Sequence, residues 1–348
     1  MNIEKWESAG PLAELYIELK ALGLETNIAE LEAFGFTVVP PEKVGPKAFL
    51  VEAREALERT LISLWGADAL APGRWDNINE THRFLLWEDP IYQKLSLNPA
   101  GLGLAQYLLG TDCTLSLCNA WVKGPGEMRT SIHGDYLDGS AEARLSFVNV
   151  NCNMHYVLSD YTKEDGALSM VPGSHRWRRQ PTPPEIEYWA DRAHPVEAAA
   201  GSIIVWGNHT WHGSYPKKTP GLRLTLQCEY VRRRFQPEEA YRETVTQEAL
   251  DRNPIRFAGL VDAYNHYPFG KCDQDIERVL SAPSGTGPWH AGAGYRSLFD
   301  DEPANGRTTV RPDYDYNRHD GLYHAERRRM MLERVKALRK KSAPEEEK

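Results

Sequence analysis

Between about residues 112 and 235 the chain is written as short, strand-like apolar runs: CTLSLCNAWVKG, ARLSFVNVNCNMHYVL, GALSMVPG, GSIIVWG and LRLTLQCEYVRR. Gly, Pro, Asp and Ser separate them, and several such strands in succession predict a sandwich or a barrel. Ahead of them, ELYIELKALGL, IAELEAFG and FLVEAREALERTLISLW place apolar residues at helical spacing, with FTVVPP as one strand stopped by Pro40 and Pro41. A length of 348 residues suggests about two domains at roughly 150 residues each, although all-β barrels often use such a length as one. With 27 glycines and 23 prolines, a turn-rich fold is mildly favoured.

Charge and cysteine usage bound the partners. There are 41 Lys and Arg against 49 Asp and Glu, a net of −8, which argues against non-specific nucleic-acid binding. Five cysteines without paired CxxC spacing (Cys113, Cys118, Cys152, Cys228 and Cys272) give neither a disulfide framework nor a zinc ribbon. The N-terminus carries acids and lacks an apolar h-region, and no apolar run approaches the ~18 residues of a membrane span. A cytoplasmic protein with no membrane role is expected. The chain ends in HAERRRMMLERVKALRKKSAPEEEK, read as a solvated charged helix with a frayed tail.

The strongest local feature is TSIHGDYLDG. His133 and Asp135 are separated by one residue, so on an extended segment both side chains point the same way. An imidazole and a carboxylate supply two ligands for a divalent metal, and a second histidine would complete the two-His-one-carboxylate facial set of non-haem Fe(II) sites. WGNHTWHGSYPKKTPGLRLTLQ offers His212, with His209 as the alternative. Arg223 follows His212 by eleven residues and can hold a carboxylate in bidentate fashion, the group that an iron-chelating 2-oxoglutarate would present at its far end. Ser214, two residues beyond His212, can add a hydroxyl.

Taken together, HxD at 133–135, LSDYTKEDGALSMVPGSH at 158–175 and WHGS followed by Arg at 211–223 resemble the phytanoyl-CoA dioxygenase family over roughly residues 25–235. The resemblance implies a mainly β fold, a double-stranded β-helix (cupin-like jelly roll) core with flanking α-helices. It implies an Fe(II)/2-oxoglutarate-dependent oxygenase that converts 2-oxoglutarate and O₂ to succinate and CO₂ while oxidising a small organic substrate. Carried over residue by residue, His133, Asp135 and His212 hold iron, and Arg223 with Ser214 grips the cosubstrate. Lys123 and Asn119 fall where relatives often place a polar cosubstrate contact, or are strand-surface residues. Gly201-Ser202 stands where the family often has Gly-Asp, and His155 where it commonly has an aromatic residue. Asp135 argues against halogenase chemistry, which needs a small residue there. A metal cupin with non-oxidative chemistry and a non-catalytic jelly-roll binding protein are the alternatives.

On RLSFVNVNCNMHYVL, Asn149, Asn151, Asn153 and His155 share one face, opposite Val148, Val150, Cys152, Met154 and Tyr156. Periodicity fixes these faces but not which points inward. If the polar face lines the site, His155, Asn153 and Asn151 contact substrate, with Arg129 and Tyr136 flanking the metal pair. His175 reads as a turn residue, and Trp206 and Trp211 as core. The expected organisation is one oxygenase domain over 1–310, with the jelly roll at about 110–235 and a helix and loop extension at 236–310. A charged C-terminal segment, 311–348, follows. SAPSGTGPWHAGAGYRSLF suits either a lid, with Trp289 and Tyr295 covering a pocket, or a surface loop. Substrate identity and oligomeric state stay open.

Overall fold

Dipeptides that start helices set the frame of the α layer. Asp89 and Asn98 each precede a proline, and their side chains accept the first free N–H groups of the helices that follow, at Ile91 for one and at Ala100 and Gly101 for the other. A computed structural model describes residues 11–135 and 148–263. Its helices are α1 (Pro11–Ala21), α2 (Glu25–Phe34), α3 (Pro41–Val44), α4 (Lys47–Trp65), α5 (Pro90–Ser96), α6 (Pro99–Leu109), α7 (Pro183–Trp189), α8 (Tyr241–Thr244), α9 (Gln247–Arg252) and α10 (Ile255–Leu260). Its strands are β1 (Phe36–Val39), β2 (Asn79–His82), β3 (Thr114–Lys123), β4 (Thr130–His133), β5 (Asn151–Val157), β6 (Leu168–Met170), β7 (His194–Pro195), β8 (Ile203–Gly207), β9 (His212–Ser214) and β10 (Arg223–Val231).

The strands form two antiparallel sheets, one in the order β1-β8-β5-β10-β3-β2 and one in the order β4-β9-β6-β7. Phe36, Val157, Leu168, Met170, Ile204 and Trp206, drawn from both sheets, share one buried cluster. This is the double-stranded β-helix with flanking helices that the sequence implied. On the large sheet, Leu224, Leu226, Cys228 and Tyr230 of β10 alternate with Arg223, Thr225, Gln227 and Glu229. The apolar set joins Cys118, Ala120, Val122, Cys152, Met154 and Tyr156 in one core with Leu57 and Leu61 of α4, Leu95 of α5 and Leu102 and Ala105 of α6. The helices therefore take the apolar face, and the polar face turns into the barrel. That settles which side of the Asn/His face points inward. Short helices after residue 240 belong to the same core, through Tyr241, Ala249 and Phe257.

Several expectations change. Of the strand expected across residues 144–158, β5 covers Asn151–Val157, the described residues 148–150 ahead of it are not strand, Val148 is exposed, and 144–147 lie outside the described residues. Strand β2 (NETH) was not anticipated, because a polar edge strand shows no apolar alternation. Helix α6 (PAGLGLAQYLL) is buried along most of its length, which erases the amphipathic period. Cys113, Cys118, Cys152 and Cys228 are buried and free, so the described residues hold no disulfide, and Cys272 lies outside them. Among the described residues no helix is long and apolar enough to cross a membrane. The segment at 282–299 and the charged segment 311–348 lie outside the described residues.

Two tyrosines tie the sheet to the helices. Tyr156 of β5 donates its hydroxyl hydrogen to the Leu95 carbonyl, which also accepts the Asn98 N–H, and Tyr230 of β10 donates to the Ser96 carbonyl, both hydroxyl bonds at 2.7 Å at the end of α5. Tyr156→Phe or Tyr230→Phe removes a buried hydrogen bond at the end of α5 and should lower unfolding free energy by about 1–2 kcal/mol, read from a denaturant titration. An unchanged midpoint would show that these carbonyls find other partners.

Candidate active site

The site begins with the pairing of β4 and β9. Their register sets His133 directly opposite His212 and Thr130 opposite Ser214, with an irregularity between the two pairs. The imidazole rings lie 4.4 Å apart, centroid to centroid. Two residues beyond His133, Asp135 is held in place by its own N–H, which donates to the Asn208 carbonyl at 3.1 Å. Between them, Gly134 is clamped by the Gln180 amide, which accepts from the Gly134 N–H and donates to its carbonyl. Asp135 Oδ1 then stands 3.6 Å from Nε2 of each histidine, and one ligand atom from each residue lies within 4.8 Å of the others.

Protonation at this cluster suits a cation. His133 Nδ1–H donates to the Ser131 carbonyl and His212 Nδ1–H to the Thr210 carbonyl, at 2.8 and 3.0 Å. A carbonyl only accepts, so both tautomers are fixed with the Nε2 lone pair facing Asp135. Burial alone would raise the Asp135 carboxyl, but the His212 and His133 imidazoles hold it down to about 2. Burial pushes His212 down; at His133 burial is outweighed by Asp135, which raises it. One carboxylate and two neutral imidazole nitrogens on a short strand pair are a fit donor set for a divalent first-row metal.

A hydrogen-bonded relay orients the carboxylate from behind. The Trp121 indole N–H donates to Gln227 Oε1 at 2.6 Å, the Gln227 amide donates to Asn153 Oδ1, and Asn153 Nδ2 donates to Asp135 Oδ2 at 2.8 Å. The indole can only donate and the carboxylate can only accept, so both intervening amides have fixed orientations. Outer partners of this kind set the geometry and basicity of metal ligands. Trp206 closes the wall, its ring 5.1 Å from His212 and 4.6 Å from His155.

At the other end of the inward face two cations meet without an acid. Arg223 and Lys123 are register partners on β10 and β3, both almost fully buried. Arg223 donates to the Gly166 carbonyl and lies over the Tyr161 ring, while its Nε has no partner. Lys123 donates to Ser214 Oγ at 2.9 Å and to the Tyr215 carbonyl. Burial, with Arg223 and Arg129 adding repulsion, drives Lys123 down to about 6. Tyr161 Oη, Thr225 Oγ1 and His155 Nε2 are likewise buried without a protein partner among the described residues. Unsatisfied buried groups concentrated on one inward face, with uncompensated positive charge, outline the place of an anionic ligand.

The structure thus brings His133, Asp135 and His212 together and sets Arg223, Ser214, Lys123 and Asn119 on the inward face beside them. His155 and Asn151 also face inward. Asn153 does so too, but it is engaged with Asp135. Arg129 is turned to the surface, paired with Asp191 at 2.8 Å. Tyr136, Trp289 and Tyr295 lie outside the described residues. His209 bonds the Asn149 side chain and stands apart from the cluster, and His175 bonds the Glu32 carbonyl in a turn. Trp211 is core, as expected. Trp121, Gln180, Gln227 and Glu229 were missed. The alternation of LRLTLQCEYV places Gln227 and Glu229 on the face of Arg223, a signal that could have found both.

This chain belongs to the phytanoyl-CoA dioxygenase (PhyH) family, whose sequence profile matches residues 35–225. It is similar to dioxygenase af480 of Aspergillus fumigatus, 31% identical over 204 residues that cover 56% of this chain and 62% of that protein. It therefore spans less than two thirds of that relative. Dioxygenase FUM3 of Gibberella moniliformis is 25% identical over 159 residues, 44% of this chain and 49% of that protein. Among solved structures, HygX from Streptomyces hygroscopicus with nickel and 2-oxoglutarate bound overlaps 61% of this chain and 88% of its own, at 19% identity and a TM-score of 0.49.

Gly213 sits between His212 and Ser214 because β4 passes too close for a side chain. A Cβ there would come within 2.5 Å of the Thr130 carbonyl oxygen. Gly213→Ala should force β9 from β4, separate the histidines and weaken Ni(II) binding about 10- to 100-fold in a metal titration. Wild-type affinity in a folded variant would show that the strand spacing does not set the cluster.

Proposed function

We propose that this protein is a non-haem Fe(II)/2-oxoglutarate-dependent dioxygenase that hydroxylates or otherwise oxidises a small organic molecule in the cytoplasm. The observation that carries the reading is the pairing of a His133–Asp135–His212 cluster with the buried Arg223 guanidinium and Lys123 amine on the same inward face, with no acid beside them among the described residues. A metal cupin of non-oxidative chemistry has no use for that second feature. Family membership supports the same reading. The four buried, unpaired thiols agree with a reducing compartment. The core shared by α4–α6 and α8–α10 supports one domain across the described residues up to 263, and we extend that domain over 1–310, with 311–348 as a further segment.

In this reading His133, Asp135 and His212 hold iron, and Arg223 and Lys123 receive the far carboxylate of 2-oxoglutarate. Ferrous iron with 2-oxoglutarate and O₂ supplies the oxidative decarboxylation to succinate and CO₂ that drives oxidation of a C–H bond. The chain's own task is placement. Fixed tautomers present two Nε2 lone pairs without rearrangement, and the Trp121–Gln227–Asn153 relay holds Asp135 in one orientation. Ser214 accepts from Lys123 and from the Thr130 N–H, which fixes the ammonium beside the guanidinium. Asn119 offers a further polar contact near the cosubstrate. His155, pushed down to about 3 chiefly by burial, stays neutral and is available to hydrogen-bond substrate with Asn151.

Succinate formation from 2-oxoglutarate should require Fe(II), and Asp135→Ala should abolish it. Arg223→Leu removes a buried cation facing a carboxylate and should weaken 2-oxoglutarate binding by about 2–5 kcal/mol, roughly 30- to several thousand-fold, with metal affinity nearly unchanged. Iron-independent turnover, or an unchanged cosubstrate constant in Arg223→Leu, would remove this reading.

Lys123 makes the binding pH-dependent. Its free-state value of about 6 leaves it mostly neutral at pH 8, and an arriving carboxylate favours the charged form, so binding takes up a proton. The 2-oxoglutarate dissociation constant should therefore fall as pH drops from about 8 to 6.5, by at most about tenfold per unit, at saturating metal. Lys123→Met should flatten the profile. A slope that survives in Lys123→Met would place the titrating group elsewhere.

A further inference from the structure

Glu229 is a buried acid that cosubstrate and metal binding leave unused. It stands one inward position beyond Gln227 on β10, opposite Asn153 of β5 and Leu117 of β3, and is 7% exposed. The register between β10 and β3 slips after Glu229, leaving Ser116 as the extra residue, and such bulges re-aim side chains beside functional sites. The Ser116 hydroxyl and the Asn151 side chain stand near the Glu229 carboxyl and hold it down in part. The charged groups acting on it are Asp135 and Glu238, both negative, and burial with that repulsion lifts it to about 8.

A second unmet group faces the same space. Asn119 is 2% exposed, occupies the inward position of β3 beside Gln227, and its Oδ1 has no partner. Both groups accept hydrogen bonds, whereas the Arg223 end of the barrel donates them. A buried acid with no cation beside it among the described residues and an unpaired amide oxygen favour a ligand that brings donors and positive charge.

We propose that Glu229, with Asn119 Oδ1, recognises a primary ammonium group on the substrate. This rests on the oxygenase reading above and narrows its substrate class to amine-bearing small molecules. A primary ammonium offers three N–H donors. The carboxylate takes one or two and the amide oxygen another, while Ser116 and Asn151 hold the carboxyl from its other side. On binding, the carboxylic acid loses its proton to solvent and pairs as the carboxylate.

The test uses the full-length protein loaded with Ni(II) and 2-oxoglutarate, titrated calorimetrically with n-pentylamine and with 1-pentanol as its uncharged counterpart. The amine should bind at least about tenfold more tightly than the alcohol to the wild type, and Glu229→Gln should erase that preference while binding 2-oxoglutarate as the wild type does. The 2-oxoglutarate titration of Glu229→Gln also shows that the variant is folded. Equal affinities, no binding of either probe, or a preference retained in Glu229→Gln overturns the assignment. If 2-oxoglutarate fails to bind the nickel-loaded wild type, the oxygenase reading falls and this assignment with it. If it binds and the amine preference is absent, only the ammonium assignment falls.

Discussion

Burial of the outer face of the large sheet against helices α4–α6 is the constraint from which the remaining architecture follows. Cys118, Ala120, Val122, Met154, Tyr156, Leu226 and Tyr230 join the helical residues in one core. Because side chains alternate along a strand, committing these to the helices commits Asn119, Lys123, Asn153, His155, Arg223 and Gln227 to the barrel interior. A one-residue slip in register would exchange the two sets. The same apolar pattern that drives folding thereby decides which polar groups are enclosed.

Enclosure gives those groups their chemical character. In water Arg223 and Lys123 would be ordinary solvated cations, whereas here neither has an acidic partner among the described residues and burial drives Lys123 down to about 6. A buried guanidinium of this kind favours an anion over a cation at that end of the barrel. At the cluster, fixed tautomers and the Trp121–Gln227–Asn153 relay do the comparable work of limiting the geometries available to Asp135.

How legible this was in the sequence differs with the physics involved. The HxD pair could be read directly, because period two along an extended segment determines which side chains point together, whereas the eleven-residue interval from His212 to Arg223 spans two strands and was read through the family resemblance. The jelly roll followed from strand runs and family resemblance. The inward direction of the Asn151–Asn153–His155 face was not legible, since it depends on helices distant in sequence that cover the other side. Gln180 was invisible for a related reason: its contact with Gly134 spans 46 residues and has no local pattern. Asn153 was placed in the site for the right face but with a different use, because its partner Asp135 comes from another sheet.

Strand β10 carries the guanidinium of Arg223 near one end and the carboxyl of Glu229 six residues on, a span of about 20 Å along one inward face. Between them Thr225 and Gln227 are neutral, so polarity runs along the strand as a graded axis. Two ligands of opposite character would be sorted along it without a dividing wall, each repelled from the other's berth. In the roles proposed above, position 229 could change to suit new head groups while position 223 stays fixed, which would separate novelty from upkeep within a single strand.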